Sequence, residues 1–368
     1  MPDPSSPPDP SPTDPTAGDP RYARQRRLPG IGEPGQARLA RAQAVIVGCG
    51  ALGCVTADHL ARAGVGRLRL IDRDLVERTN LQRQSLFTEA DAAESRPKAA
   101  AAAARLAAVN SGIELSPEIA HLDATNADRL LAPADPAAPF ALIDATDNFQ
   151  TRYLLNDFAV RAGIAWIHAG VIARHGSVAA FVPGSACLRC FAPDAPPPGS
   201  IETCETAGVL APAVGVAASL QSALALDWLL GRLDTHAAPS ISFDLDAPSF
   251  GSFHRTRLQP LRDPGCPCCA AARYEFLDAD LAEPTLSLCG TDAVQILPAP
   301  GSPPPNPDHL ADRLAGVGEV RRSPLYIRAT LPAEPSPVEL TIFRDGRAIL
   351  RGVREPARAR ALYDRYLG

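Results

Sequence analysis

The sequence has no apolar run approaching the roughly 18 residues that a membrane-spanning helix needs. Its start pairs no basic stretch with an apolar one, as a secretion signal would. Nor is there an excess of basic charge: the formal net charge is −5, and a pI near 5.8 gives no global field for nucleic acid or an anionic membrane. Internal repeats are also missing. These absences predict a cytoplasmic protein that binds neither nucleic acid nor membrane. In that compartment its nine cysteines stay reduced, so pairs at short spacing point to a metal before a disulfide. With 368 residues and 46% apolar content, two or three domains and a sizeable core are expected.

Residues 1–20 hold eight Pro, four Asp and three Ser, with no large apolar residue after Met1. Such a segment cannot bury enough surface to offset its ordering entropy, and a disordered tail is expected. A β-branched run, Ala44-Val45-Ile46-Val47, then enters the turn Gly48-Cys49-Gly50-Ala51-Leu52-Gly53. "CVTADHLARAGV" follows with helical periodicity, and "RLRLID" (67–72) reads as a second strand. "PKAAAAAARLAAVN" (97–110) predicts a helix, and "IELSPEIA" and "FALIDATDN" (140–148) predict further strands. The alternation gives an α/β fold: a Rossmann-like, doubly wound sheet with its ligand beyond the strand ends. Residues 163–182 read as paired strands that extend this sheet antiparallel, and 241–258 as closing strands. Between them, 213–231 predicts a helix apolar almost all round, suited to a core or to a subunit interface. The expected division is 1–20 tail, 21–275 nucleotide-binding domain and 276–368 a small α+β domain. That last domain carries an Asp-Gly hairpin in 339–352 and a final helix in 356–367.

The glycine turn lies between a strand and a helix, and Asp72 stands nineteen residues beyond Gly53. In that context Gly48, Gly50, Ala51 and Gly53 let backbone approach phosphate at a helix N-terminus, and Asp72 takes ribose hydroxyls. An NAD-dependent dehydrogenase would explain these residues equally well. "NLQRQ" breaks the tie. Asn80, Arg83 and Gln84 follow the ribose strand, and Lys98 opens the next helix. Nucleotidyl transfer builds charge on the α-phosphate and expels pyrophosphate, so fixed cations and amide donors lower its barrier. Hydride transfer builds no such charge; the structural alternative is a solvated polar patch. Asp147 in "DATDN" suits magnesium or a helix cap, and ATP chemistry favours the metal. Asp144 is placed outside the site.

Cys187 and Cys190 in "CLRC", with Cys266 and Cys269 in "CPCC", form two knuckles that can close a tetrahedral four-thiolate zinc site. A site with no open position is structural. Cys268 is a spare, with pairing through 266/268 left open. Cys204 stands alone in "IETCETAGVLAP", where a small buried hydrophobe competes with a reactive thiol. Cys49 and Cys54 read as packing, and Cys289 has no assigned role. His168 and His175 read as structural. "RYARQRRL" carries four Arg between 21 and 27, either a solvated turn or an arm offering Arg24 to a triphosphate.

"RYARQ", "GCGALG", "IDRD…NLQRQ", "RPKA", "DATDN", "CLRC", "TCETAGVLAPAVG" and "CPCC", in this order over roughly 21–270, resemble the MoeB/ThiF/HesA family, relatives of the ubiquitin-activating enzymes. The tail is similar to that of longer bacterial thiazole-biosynthesis adenylyltransferases of the ThiF type, and no rhodanese-like domain is apparent. The resemblance implies ATP-dependent adenylylation of the C-terminal glycine of a ubiquitin-like sulfur carrier ending in Gly-Gly. Thiazole synthesis for thiamine is the first pathway implied and molybdopterin synthesis, with a MoaD-like carrier, the second. It further implies that Gly50–Gly53 cradle phosphate, Asp72 holds ribose and Arg83 and Lys98 clamp phosphates. Asn80 and Gln84 would assist, Asp147 would hold magnesium, and Arg24 would reach across a homodimer. Cys204 matches a cysteine tied to persulfide or acyl-disulfide chemistry, with a cysteine desulfurase or other sulfur donor as partner. A catalytically silent homologue would lack the phosphate residues, which are intact here.

Overall fold

The computed structural model describes residues 18–196, 207–246, 251–278, 285–288, 293–298, 306–333 and 336–367. Cys204, Cys289, residues 1–17 of the tail and most of the Pro-rich linker at 297–307 lie outside the described residues. Residues 18–20, counted with the tail, are ordered instead: the Asp19 carboxylate accepts the Arg21 N–H at 2.8 Å and caps the turn Pro20–Tyr22. That turn is fixed because Tyr22 is buried and its hydroxyl accepts from Asn110 Nδ2 at 2.8 Å.

The chain divides into two compact units, Met1–Asp280 and Leu281–Gly368. In the first, α1 (Gly32–Arg41) leads into β1 (Gln43–Val47), α2 (Ala51–Ala63), β2 (Arg67–Ile71), α3 (Glu89–Ala93), α4 (Lys98–Val109) and β3 (Glu114–Glu118). Then come α5 (Ala127–Leu131), β4 (Phe140–Asp144), α6 (Phe149–Ala162), β5 (Trp166–Ile172) and β6 (His175–Phe181). After α7 (Ala211–Leu229), β7 (Pro239–Asp244) and β8 (Ser252–Arg257) close the sheet, and α8 (Glu275–Asp278) ends the unit. The eight strands run in the order β3-β2-β1-β4-β5-β6-β7-β8. β3 through β5 pair parallel and β5 through β8 antiparallel.

Central β1 and β4 are buried along their whole length, as strands covered on both faces must be. α2, α4 and α7 supply the core on one face, α5 and α6 on the other. α2 ends at Gly64 and α6 at Gly163, both with positive φ, the left-handed stop that glycine adopts without strain. Because the strand order turns outward on both sides of β1, the carboxyl ends of β1, β2 and β4 open a crevice.

Residues 276–278, expected to open the second domain, belong to the first unit. Phe276 meets the Tyr153 ring at 4.9 Å, and Glu275 binds the buried Arg189 at 2.6 Å. The second unit is a six-stranded antiparallel sheet: β9 (Thr285–Leu288), β10 (Ala293–Ile296), β11 (Val320–Arg322), β12 (Tyr326–Leu331), β13 (Val338–Phe343) and β14 (Ala348–Arg351). α9 (Pro307–Ala315) and α10 (Pro356–Leu367) contribute to its apolar core. Gly346, at φ +86°, makes the expected Asp-Gly turn between β13 and β14. No helix among the described residues is long and apolar enough to cross a membrane.

Candidate active site

Each glycine of the turn has its own reason to be there. Gly48 has φ +92°, and a Cβ on it would meet the Ala145 carbonyl oxygen at 2.7 Å. A Cβ on Gly53 would come within 1.9 Å of the Gly48 oxygen, so α2 could not sit this close to the turn. At Gly50 the nearest atom to such a Cβ is Gln84 Nε2 at 4.0 Å, which leaves the mouth of the turn open. No side chain caps the start of α2, which leaves its first-turn N–H groups without a side-chain partner, an arrangement suited to an anion. Gln84 is buried beside them, and its Oε1 has no hydrogen-bond partner among the described residues. A buried amide oxygen left unpaired costs about 1–3 kcal/mol, and a ligand bearing hydroxyls would satisfy it. The turn, Gln84 and the charged groups below fit a nucleotide.

Asp72 anchors this loop. Its Oδ2 accepts the Cys49 N–H and its Oδ1 the Asp74 N–H, each at 2.7 Å. Lys98, the first residue of α4, donates to Asp74 Oδ2 at 3.1 Å. Burial alone would lower the Lys98 pKa, but Asp74 and Asp72 outweigh it and Asp147 adds to them. The ammonium therefore stays charged. Lys98, Asp72 and Asp147 thus share one electrostatic neighbourhood. Asp74 was not singled out from sequence, although its position two residues after Asp72 is the available signal.

Half-buried Arg83 donates to the Thr79 carbonyl at 3.0 Å. Asn80 is partly structural: its Oδ1 accepts the Glu77 N–H at 3.0 Å in a capping box. The helix-cap alternative for Asp147 does not hold, because Asn148 caps α6 through the Thr151 N–H at 2.8 Å. Asp147 lies exposed at the crevice. Asp144 is fully buried and bonded to His168 and Thr146. Arg24 is exposed on the turn before Gln25–Arg27.

The second constellation lies apart from the crevice. The sulfurs of Cys187, Cys190, Cys266 and Cys269 all lie within 4.8 Å of one another. Cys187 and Cys266 approach to 3.6 Å, Cys190 and Cys269 to 3.5 Å. Cys268 lies beside Cys187 but outside the four-sulfur group; its sulfur accepts from Asn156 Nδ2 at 3.3 Å. Burial and the neighbouring Cys190 push the Cys269 thiol up to about 11, and Cys187 together with burial raises Cys190. Crowded, desolvated thiols resist ionisation by themselves, and a dication would supply the missing charge. Cys49 and Cys54 are packing residues, buried under α2 and the turn; burial pushes Cys54 up to about 12.

Residues 22–268 match the ThiF family. The chain belongs to that family. The sulfur carrier protein ThiS adenylyltransferase of Bacillus subtilis is 36% identical over 353 residues, covering 95% of this chain and 99% of the relative. The sulfur carrier protein adenylyltransferase of Thermus thermophilus is 39% identical over 255 residues, 68% of this chain and 90% of that one. Among solved structures, E. coli MccB with AMPCPP and MccA superposes at a TM-score of 0.57 and 25% identity, covering 69% of this chain and 74% of that one. MccB has also been solved with ATP.

Proposed function

We infer that this ThiF-family protein uses ATP to adenylylate the C-terminal glycine of a ubiquitin-like, ThiS-like sulfur carrier, activating it for sulfur transfer in thiazole synthesis for thiamine. The observation that carries the reading is the end-to-end match to the Bacillus adenylyltransferase, joined to a glycine turn with Lys98, Asp72 and Gln84 converging on it.

In the reaction, a carboxylate oxygen of the carrier attacks the α-phosphorus of ATP. The bond from that phosphorus to the bridging oxygen breaks, and pyrophosphate leaves with its electron pair. Negative charge grows on the equatorial oxygens, where Lys98 and Arg83 offer fixed cations. The first-turn N–H groups of α2 hold phosphate, Asp72 takes ribose, and Asn80 and Gln84 donate from the sides. Asp147 suits magnesium, which arrives with the triphosphate and offsets its charge. Cys187, Cys190, Cys266 and Cys269 would hold zinc as a closed structural site.

Three further parts belong to the same proposal. The protein works in the cytoplasm as a homodimer, with Arg24 lent to the neighbouring site. Cys204 receives or relays sulfur after adenylylation. A cysteine desulfurase or another persulfide donor supplies that sulfur.

The test is ATP–pyrophosphate exchange with purified carriers ending in Gly-Gly. Exchange that requires a ThiS-like carrier supports the reading, and preference for a MoaD-like carrier would move it to molybdopterin synthesis. Tight nicotinamide binding without exchange would overturn it in favour of a dehydrogenase.

A further inference from the structure

Beyond the phosphate residues, the crevice holds a buried network that nucleotide chemistry does not use. Asp144, at the end of β4, pairs in register with His168 on β5. Asp144 Oδ2 and His168 Nδ1 are 2.7 Å apart. Its Oδ1 accepts from the Thr146 N–H at 2.9 Å and the Thr146 hydroxyl at 2.7 Å. Arg152 of α6 donates through Nη2 to the Thr146 carbonyl at 2.7 Å. The network fixes the backbone just before Asp147.

One corner of the network is open. A Cβ added to Gly170 would stand 3.5 Å from His168 Nε2 and 3.6 Å from Arg152 Nη2. The two polar groups therefore converge on the space where Gly170 has no side chain. Burial would raise the Asp144 carboxyl, but His168 and Arg152 outweigh it and keep it ionised; burial keeps His168 neutral. A neutral imidazole that gives its Nδ1 proton to a carboxylate presents Nε2 as a bare acceptor. Arg152 Nη2 carries two protons and uses one on Thr146. One acceptor and one donor, side by side over a glycine, complement the N–H and C=O of a peptide unit.

The topology says which peptide. Ribose belongs on the β2 side of the crevice, and the strands continue β2-β1-β4-β5. A carboxylate that reaches the α-phosphate past Asp147 comes from the β5 side, where Gly170 lies.

We propose that His168 and Arg152 form a peptide-binding corner over Gly170 that seats a backbone unit of the carrier's glycine-ended tail. His168 Nε2 accepts the tail N–H and Arg152 donates to the tail carbonyl, with Asp144 orienting the imidazole. This rests on the adenylylation reading.

Gly170→Ala tests it with least disturbance. The added methyl meets its neighbours at ordinary contact distances, so the fold accepts it while the corner closes. His168→Leu is the second variant; it withdraws the acceptor, while Asp144 keeps its bonds from the Thr146 N–H and hydroxyl. In carrier-dependent pyrophosphate exchange, each variant is expected to raise the carrier KM about tenfold, the loss of one good hydrogen bond, with the ATP KM within about twofold of wild type. A carrier KM unchanged in both variants overturns the proposal. So does an equal rise in the ATP KM, which would make the network a prop for Asp147 alone. Absence of exchange in the wild type with every carrier sinks the adenylylation reading itself, a separate outcome.

Discussion

Lys98 and Asp74 meet 3.1 Å apart beneath the glycine turn, one from the first residue of α4 and the other just past β2. The pair holds an ammonium in place before any phosphate arrives. Lys98→Met is expected to lower exchange turnover about a hundredfold, the usual effect of removing one preorganised charge donor. ATP affinity should move much less, because the charge that Lys98 meets grows in the transition state. Single-turnover adenylate formation checks it, and a loss confined to the ATP KM would contradict the role.

Gly53→Ala should act on the fold. Its methyl would fall 1.9 Å from the Gly48 oxygen, so α2 must lift off the turn. A loss of about 3 kcal/mol or more is expected, at the upper end for overpacking against backbone. Urea unfolding would show it, together with loss of the thermal shift that ATP gives the wild type.

Zinc should copurify at about one ion per chain, the content of a closed four-thiolate site. Cys269→Ser should lose that metal and unfold at lower temperature. Cys268→Ser should keep it, since the Cys268 sulfur bonds to Asn156 instead. Metal analysis of the three proteins decides between them.

Cys54 gives the protein an alkaline weakness. Its folded-state pKa is pushed up to about 12 from an ordinary value of 9.0. The unfolded thiol therefore loses its proton first. The stability involved is fully present below pH 9 and falls as pH rises toward 12, by about 1.4 kcal/mol per pH unit. Urea midpoints at pH 8, 9 and 10 should drop more steeply in the wild type than in Cys54→Ala. Parallel slopes would mean that the thiol titrates normally in the fold.

Cys204→Ala should keep adenylylation and lose sulfur transfer to the carrier. Intact-mass analysis separates the two products. A variant that folds yet forms no adenylate would show that the cysteine serves the first step.

The sheet and its crevice were legible because central β1 and β4 are short apolar runs and the turn after β1 is marked by glycine. The four-sulfur cluster was legible from spacing alone, two Cys-x-x-C knuckles and a spare. What the sequence hid is pairwise. Asp74 reads as one more polar residue until α4 brings Lys98 against it. Asn80 reads as a ligand, yet half of its amide is taken by the Glu77 N–H. Asp147 and Asn148 are neighbours that compete for one capping role, and only backbone geometry shows that Asn148 holds it. His168 reads as a structural histidine, which is true of its Nδ1 side, set on Asp144 by the register of β5 against β4; the other nitrogen lies beside Gly170, two residues along the same face of β5. The edge of the first unit moved for a similar reason. Phe276 belongs with Tyr153, which lies far away in sequence.

The two Cys-x-x-C knuckles join positions 79 residues apart, and that has a bearing on how the protein breaks. With zinc bound as proposed, a nick in the backbone between Cys190 and Cys266 would leave two fragments clasped through the metal as well as through the packed core. Such damage would pass unnoticed on a sizing column and show only on a denaturing gel, where core and metal both let go.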